Sequence, residues 1–304
     1  MREATVGLLH PGEMGAAVGQ CLAAGGHRVL WVPERRSPAS AARAAAVGLT
    51  AGSGGLASLV READVIVSVC PPHAALEVAR EVAEFGLARR AAGFGGVYVD
   101  ANAVSPATAR EVARIVEAAG ADYVDGGIIG TPPVAPGFIR LYLSGARAGE
   151  VQRLFAGGEV DARVLGGDGL GGDALGRDAL GRDTSVAASA VAASAVKMAY
   201  ASWTKGSAAL LLAARGLARA EGVEEALLTE WGISQPGLAD RSGRAAGSAP
   251  AKGWRWVAEM EEIAAAMAAT GLPDGFHLAA AEVYRRACAA GSVDAILTAL
   301  LSPP

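Results

Sequence analysis

Over its first 165 residues the chain alternates short, wholly apolar runs with Ala-rich stretches, and few architectures tolerate that alternation. Ala4–Leu9, Arg28–Val32, Val65–Val69 and Gly96–Asp100 read as strands. Glu13–Ala24, Pro38–Val47, a segment through Arg80 and Val82, and Ala107–Ala119 read as helices. The punctuation agrees: Gly25-Gly26 closes the first helix, Pro71-Pro72 stops the third strand, and Ser105-Pro106 is an N-cap followed by a first-turn proline. Further strands are expected near Tyr123, at Phe138–Leu143 and at Val160–Leu165. Strands apolar on both faces belong in a sheet covered by helices on both sides, so an α/β domain with a doubly wound, mainly parallel sheet is predicted for residues 1–165.

Beyond residue 183 no strand candidate remains. Ser185–Glu221, Glu224–Trp231, Lys252–Ala269, Phe276–Ala289 and Val293–Leu301 read as helices, giving an all-α domain over 184–304. A length of 304 residues accommodates both domains. Between them, residues 166–183 carry an imperfect GRDAL repeat. Its acidic glycines resemble a cation loop, but calcium repeats have a nine-residue period and need many copies, so a linker is expected.

Composition narrows the classes further. With 52% apolar and 19% charged residues the chain is not a disordered polyelectrolyte. A net charge of −4 without a basic block argues against nucleic acid as a partner. Lys197, Lys205 and Arg215 interrupt the most apolar stretch, which predicts no membrane span. Cys21, Cys70 and Cys288 are scattered, as in a reducing cytoplasm, and no His/Cys spacing suggests a metal. A soluble cytoplasmic protein is expected.

The first strand runs into GLLHPGEMG. Gly12 would let backbone approach a diphosphate, Gly15 would let the helix pack close to its strand, and the helix N-terminus offers free N–H groups. This is a dinucleotide turn of Rossmann type with His10 in place of the first glycine, and His10, Pro11, Gly12, Glu13, Met14 and Gly15 are candidate cofactor residues. At the end of the second strand, Pro33-Glu34-Arg35-Arg36-Ser37 sets two guanidinium groups and a hydroxyl where a ribose 2′-phosphate would lie. Arg35, Arg36 and Ser37 therefore favour NADP; in the alternative, Glu34 holds the ribose of NAD.

Five motifs in order, GLLHPGEMG, CPPHA (70–74), DANAVSP (100–106), YVDGGIIG (123–130) and ASAVKMAYASWTKG (193–206), resemble the β-hydroxyacid dehydrogenase superfamily. That superfamily includes 3-hydroxyisobutyrate and 6-phosphogluconate dehydrogenases, with imine reductases as relatives, and the likeness is to a branch with a distinctive C-terminal helical domain. The resemblance implies that Cys70, Pro71 and Pro72 pass beside the cofactor, that Asn102 lies near nicotinamide and substrate, and that Ile128, Ile129, Gly130 and Ala201 line the substrate. It implies Lys197 as the catalytic lysine and a homodimer built through the helical domain. Ile129 replaces a common serine, Ala201 a common asparagine, and Ala258-Glu259-Met260 a Lys-Asp-Leu motif, so a bulkier or more apolar molecule than a small hydroxy acid is a candidate substrate.

Residues 184–196 hold no charge, and Ala193, Ser194 and Ala201 lie one turn from Lys197, leaving room beside the amine. An ammonium there would polarise a carbonyl oxygen and deliver its proton, so Lys197 is the expected general acid/base. The expected function is an NAD(P)-dependent oxidoreductase acting at a carbonyl/alcohol carbon of a small molecule. The alternatives are an imine reductase using the same cleft or a cofactor-binding protein without turnover. Lys205 is expected on another helix face, Glu259, Glu261 and Glu262 on a solvated face, and Trp254 and Trp256 buried in helix contacts.

Overall fold

The computed structural model describes residues 3–85, 96–132, 137–166, 190–288 and 290–301, so the repeat beyond Gly166 lies outside the described residues. It falls into two compact units, 1–197 and 198–304.

In the N-terminal unit the elements run β1 (Thr5–Leu9), α1 (Glu13–Ala24), β2 (Arg28–Trp31), α2 (Pro38–Ala46), β3 (Thr50–Ala51), α3 (Gly55–Glu62) and β4 (Val65–Ser68). A single 3₁₀ turn, Pro72–Ala74, leads into α4 (Ala75–Ala83), β5 (Val97–Asp100), α5 (Pro106–Ala118), β6 (Asp122–Ile129), β7 (Ile139–Ser144), α6 (Ala148–Arg153) and β8 (Val160–Val164). The sheet order is β3-β2-β1-β4-β5-β6-β7-β8. Every pairing is parallel except β6 with β7. The chain thus reverses its winding between β1 and β4, the switch point outside which open α/β sheets bind ligands. One face packs Val6, Leu8, Val67, Val99 and Ile128 against α1 and α6; the other packs Leu9, Ile66 and Tyr98 against α3, α4 and α5.

Three elements escape the sequence reading, one of them the short helix α6. β3 is two exposed residues held only by pairing with β2. α3 is entered through Gly54 and Gly55, both at positive φ, so its start reads as a loop.

A long helix, α7 (Ala192–Ala220), begins in the first unit and continues into the second, which also contains α8 (Glu224–Ser234), α9 (Leu238–Ala269), α10 (Gly275–Ala287) and α11 (Val293–Leu301). α9 starts fourteen residues before the Lys252 expected from sequence and carries Pro250 inside it. Gly243, Gly247 and Pro250 look like helix breakers, yet Ala245, Ala246 and Ala249 pack with Leu212, Ala287 and Ile296, and that burial overrides propensity. Glu259 corrects a second expectation. It is buried rather than solvated and pairs with Lys205, whose backbone carbonyl accepts from the Tyr284 hydroxyl at 2.7 Å. Trp256 meets Tyr284 edge-on as expected, whereas Trp254 is half exposed. No helix among the described residues is long and apolar enough to cross a membrane.

Candidate cofactor and catalytic site

The β1–α1 turn is tight because a non-glycine residue, His10, adopts φ +66°. The Gly12 N–H donates to the His10 carbonyl at 2.7 Å. A Cβ on Gly15 would stand 2.4 Å from that same carbonyl, so only glycine fits there. A Cβ on Gly12 would meet nothing within 4 Å: its backbone faces open space at the helix N-terminus, as a diphosphate requires. Burial, reinforced by the Arg36 charge, lowers the His10 imidazole to about 4, leaving it neutral at ordinary pH. Glu13 is exposed in the first turn of α1, and Met14 is half-buried and packs against the sheet core.

A cavity of about 280 Å³ lies between this turn, the β2–α2 loop and α4, lined among others by His10, Val32, Glu34, Arg35, Arg36 and Glu81. Arg36 Nε and His10 Nδ1 are buried without a hydrogen-bond partner among the described residues. Arg35 has φ +60° and an exposed side chain 3.8 Å from Glu81. Ser37 does not offer its hydroxyl freely: the oxygen caps α2, accepting the Ser40 N–H at 3.2 Å. The glycine cradle and a half-buried guanidinium with an unsatisfied N–H fit a nicotinamide dinucleotide. A residue that sequence reasoning passed over, Arg43 on α2, donates from Nε to the Pro11 carbonyl at 3.3 Å.

From the carboxyl ends of β1, β4 and β5 into the middle of β6 and the end of β7, register aligns Leu9, Ser68, Asp100, Asp125 and Ser144 in one row. Asn102 ties part of this row together. Its Oδ1 accepts the Cys70 N–H at 2.6 Å, and its Nδ2 donates to Asp100 at 2.5 Å and to Ser68 at 3.1 Å. The amide therefore braces the Cys70-Pro71-Pro72 loop. Pro71 is half-buried and Pro72 buried in that loop. Burial pushes the Cys70 thiol up to about 12, aided by the nearby Asp100 charge.

Farther along the row, Asp125 holds the first turn of α7. Its carboxylate accepts the Ser194 hydroxyl at 2.5 Å, the Ser194 N–H at 2.8 Å and the Ser144 hydroxyl at 3.2 Å. Ser144 Oγ in turn accepts the Ala193 N–H at 3.0 Å. These are the donors a helix N-terminus leaves over, satisfied from the sheet. Burial raises the Asp125 carboxyl to about 6, with the Ser194 and Ser144 hydrogen bonds opposing the rise. A Cβ on Gly127 would stand 2.5 Å from the Ala193 carbonyl and 3.2 Å from Lys197 Cβ. The bare strand thus lets the helix lie against it, and Lys197, half-buried, stands over Gly127.

Strand alternation puts Ile129 on the face of Gly127 and Lys197. Ile128 points to the opposite face and packs in the sheet core, which corrects its expected place at the substrate. Gly130 has φ +133°, and a Cβ there would stand 2.1 Å from the Phe138 carbonyl, so it shapes the strand's exit. Ala201 lies in the second unit and is buried.

Residues 4–154 match the NAD binding domain of 6-phosphogluconate dehydrogenase, and residues 218–287 match a domain of unknown function, DUF1932. The chain thus joins an NAD binding domain of the 6-phosphogluconate dehydrogenase type to a DUF1932 domain. Several solved structures share its fold. A 3-hydroxyisobutyrate dehydrogenase of Mycobacterium tuberculosis, solved with L-serine, is 20% identical, with TM-score 0.64 over 99% of this chain and 100% of that one. A conserved hypothetical protein of Sinorhizobium meliloti 1021 is 25% identical, with TM-score 0.63 over 98% and 97%. A reductive aminase of Aspergillus terreus, in complex with an NADPH form, cyclohexanone and allyl amine, is 21% identical, with TM-score 0.53 over 94% of each chain. A search of curated proteins finds no match.

Proposed function

We propose that this chain is an NADP-preferring oxidoreductase that interconverts a carbonyl and an alcohol, with Lys197 as general acid/base. The observation that carries the reading is the capture of the α7 N-terminus by Asp125 and Ser144, with Gly127 bare beneath Lys197. His10–Gly15 and the Cys70-Pro71-Pro72 loop, braced by Asn102, hold the dinucleotide. A bound nicotinamide supplies or accepts the hydride. The Lys197 ammonium hydrogen-bonds the substrate oxygen, stabilises the negative charge that grows on it and gives up a proton; in the oxidative direction the neutral amine takes that proton back. Ile129, with no polar group for a carboxylate, favours an apolar ketone over a small hydroxy acid.

Arg36 supports the choice of NADP, since its unsatisfied buried N–H suits a phosphate oxygen. Steady-state kinetics with both reduced cofactors test it; a preference for NADH overturns it. The resemblance also implies a homodimer and a cytoplasmic setting, and three free cysteines suit that compartment.

A panel of ketones and cyclic imines with NADPH separates ketone reduction from the imine reduction of relatives. With the best substrate, Lys197→Met is expected to lose about 10²–10⁴ in kcat while NADPH affinity stays within about threefold. Near-normal turnover by the variant overturns the lysine assignment. NADPH binding without turnover of any substrate leaves a cofactor-binding protein.

A further inference from the structure

The glycine turn differs from a standard one in two ways that both work against an anion. Pro11 has no N–H to offer, and Glu13 puts a carboxylate on the first turn of α1. A carbonyl directed at a diphosphate would add a third repulsion. Arg43 answers these points from outside the turn. Its Nε donates to the Pro11 carbonyl at 3.3 Å, its Nη2 donates to Ser40 Oγ at 3.2 Å, and Ser40 Oγ lies 3.1 Å from the Ser37 hydroxyl that caps α2. One half-buried guanidinium thus ties the turn to the β2–α2 segment and brings a full positive charge beside the residue that precedes Gly12. Two donated bonds leave further guanidinium N–H groups in hand, since Arg has five.

We propose that Arg43 is a cofactor-site residue that serves the dinucleotide diphosphate, by holding the Pro11 carbonyl back and by adding a positive charge beside the turn. The proposal rests on the dinucleotide reading of the turn and assigns Arg43 to the diphosphate, distinct from the 2′-phosphate role of Arg36. It commits to a pattern. Every ligand with a diphosphate depends on Arg43, whether or not it bears a 2′-phosphate.

Calorimetric titration of the full chain with NADPH, NADH, ADP and adenosine 2′-monophosphate reads the pattern without turnover. Arg43→Gln is expected to weaken NADPH, NADH and ADP by a similar factor, about ten- to a hundredfold, as for loss of a charge-assisted hydrogen bond. It leaves adenosine 2′-monophosphate within about threefold, and Arg43→Lys, which keeps the charge, recovers part of the loss. Arg36→Gln is expected to do the reverse, weakening NADPH and adenosine 2′-monophosphate while sparing NADH and ADP. An Arg43→Gln variant that melts like wild type and binds all four ligands normally overturns the proposal. A loss confined to the two 2′-phosphorylated ligands also overturns it, by moving Arg43 to the other phosphate. Wild-type protein that binds none of the four overturns the dinucleotide reading itself.

Discussion

Asp125 is a carboxylate without solvent, its ionised form favoured by donors from Ser194, Ser144 and the Ala193 backbone. Its folded-state value of about 6 lies above the ordinary 3.8, so between those values the folded protein binds the extra proton. The stability this group contributes is present below about pH 4 and lost as pH rises through about 6, on the order of 3 kcal/mol. Asp125→Asn cannot titrate. Urea unfolding of both proteins at pH 4 and pH 7 should therefore show the variant gaining, relative to wild type, by about that amount at the higher pH. An unchanged difference means the carboxyl is not a buried, titrating group. Lys197 is a candidate from sequence through its motif and the thirteen uncharged residues that precede it. Asp125 as an anchor is not, because its partners stand 19 and 69 residues away and no local pattern joins them.

At the scale of elements, strand and helix positions in the first unit follow the apolar alternation closely, since parallel strands buried on both faces announce themselves. What failed were pieces whose shape comes from neighbours. β3 exists by pairing alone, α3 opens on two left-handed glycines, and the first half of α9 is helical because its alanines are buried. The seating of α7 on β6 is likewise a matter of two elements, and Gly127 is the residue on which it turns. Gly127→Ala places a methyl 2.5 Å from the Ala193 carbonyl, so the helix must move. We expect a loss of about 1–3 kcal/mol in stability. If Lys197 is the proposed acid/base, turnover should fall more than about tenfold, since small misplacements of such a group are costly, with NADPH affinity within about threefold. Unaltered kinetics would show that helix seating is irrelevant to the reaction.

For the molecule as a whole, α7 carries large apolar side chains into solvent at a seven-residue interval: Trp203, Leu210 and Leu217 are 68%, 64% and 65% exposed. A seven-residue interval drifts only about 20° around a helix, so the three share one face. Such a stripe is costly to leave wet and suits a second copy of the chain, in keeping with the proposed homodimer. Light scattering after gel filtration should give twice the chain mass for wild type. The Leu210→Glu, Leu217→Glu double variant should fall to the single mass; a wild type that is monomeric at every concentration rejects the homodimer.

One further property comes from Cys70. With its thiol near 12, the sulfur beside the dinucleotide turn is ionised in only about one molecule in 10⁵ at neutral pH. Alkylating reagents and peroxides attack the anion, so this sulfur is shielded by proton affinity rather than by distance. Under the proposed function, a sulfur close to hydride chemistry would thereby stay out of that traffic.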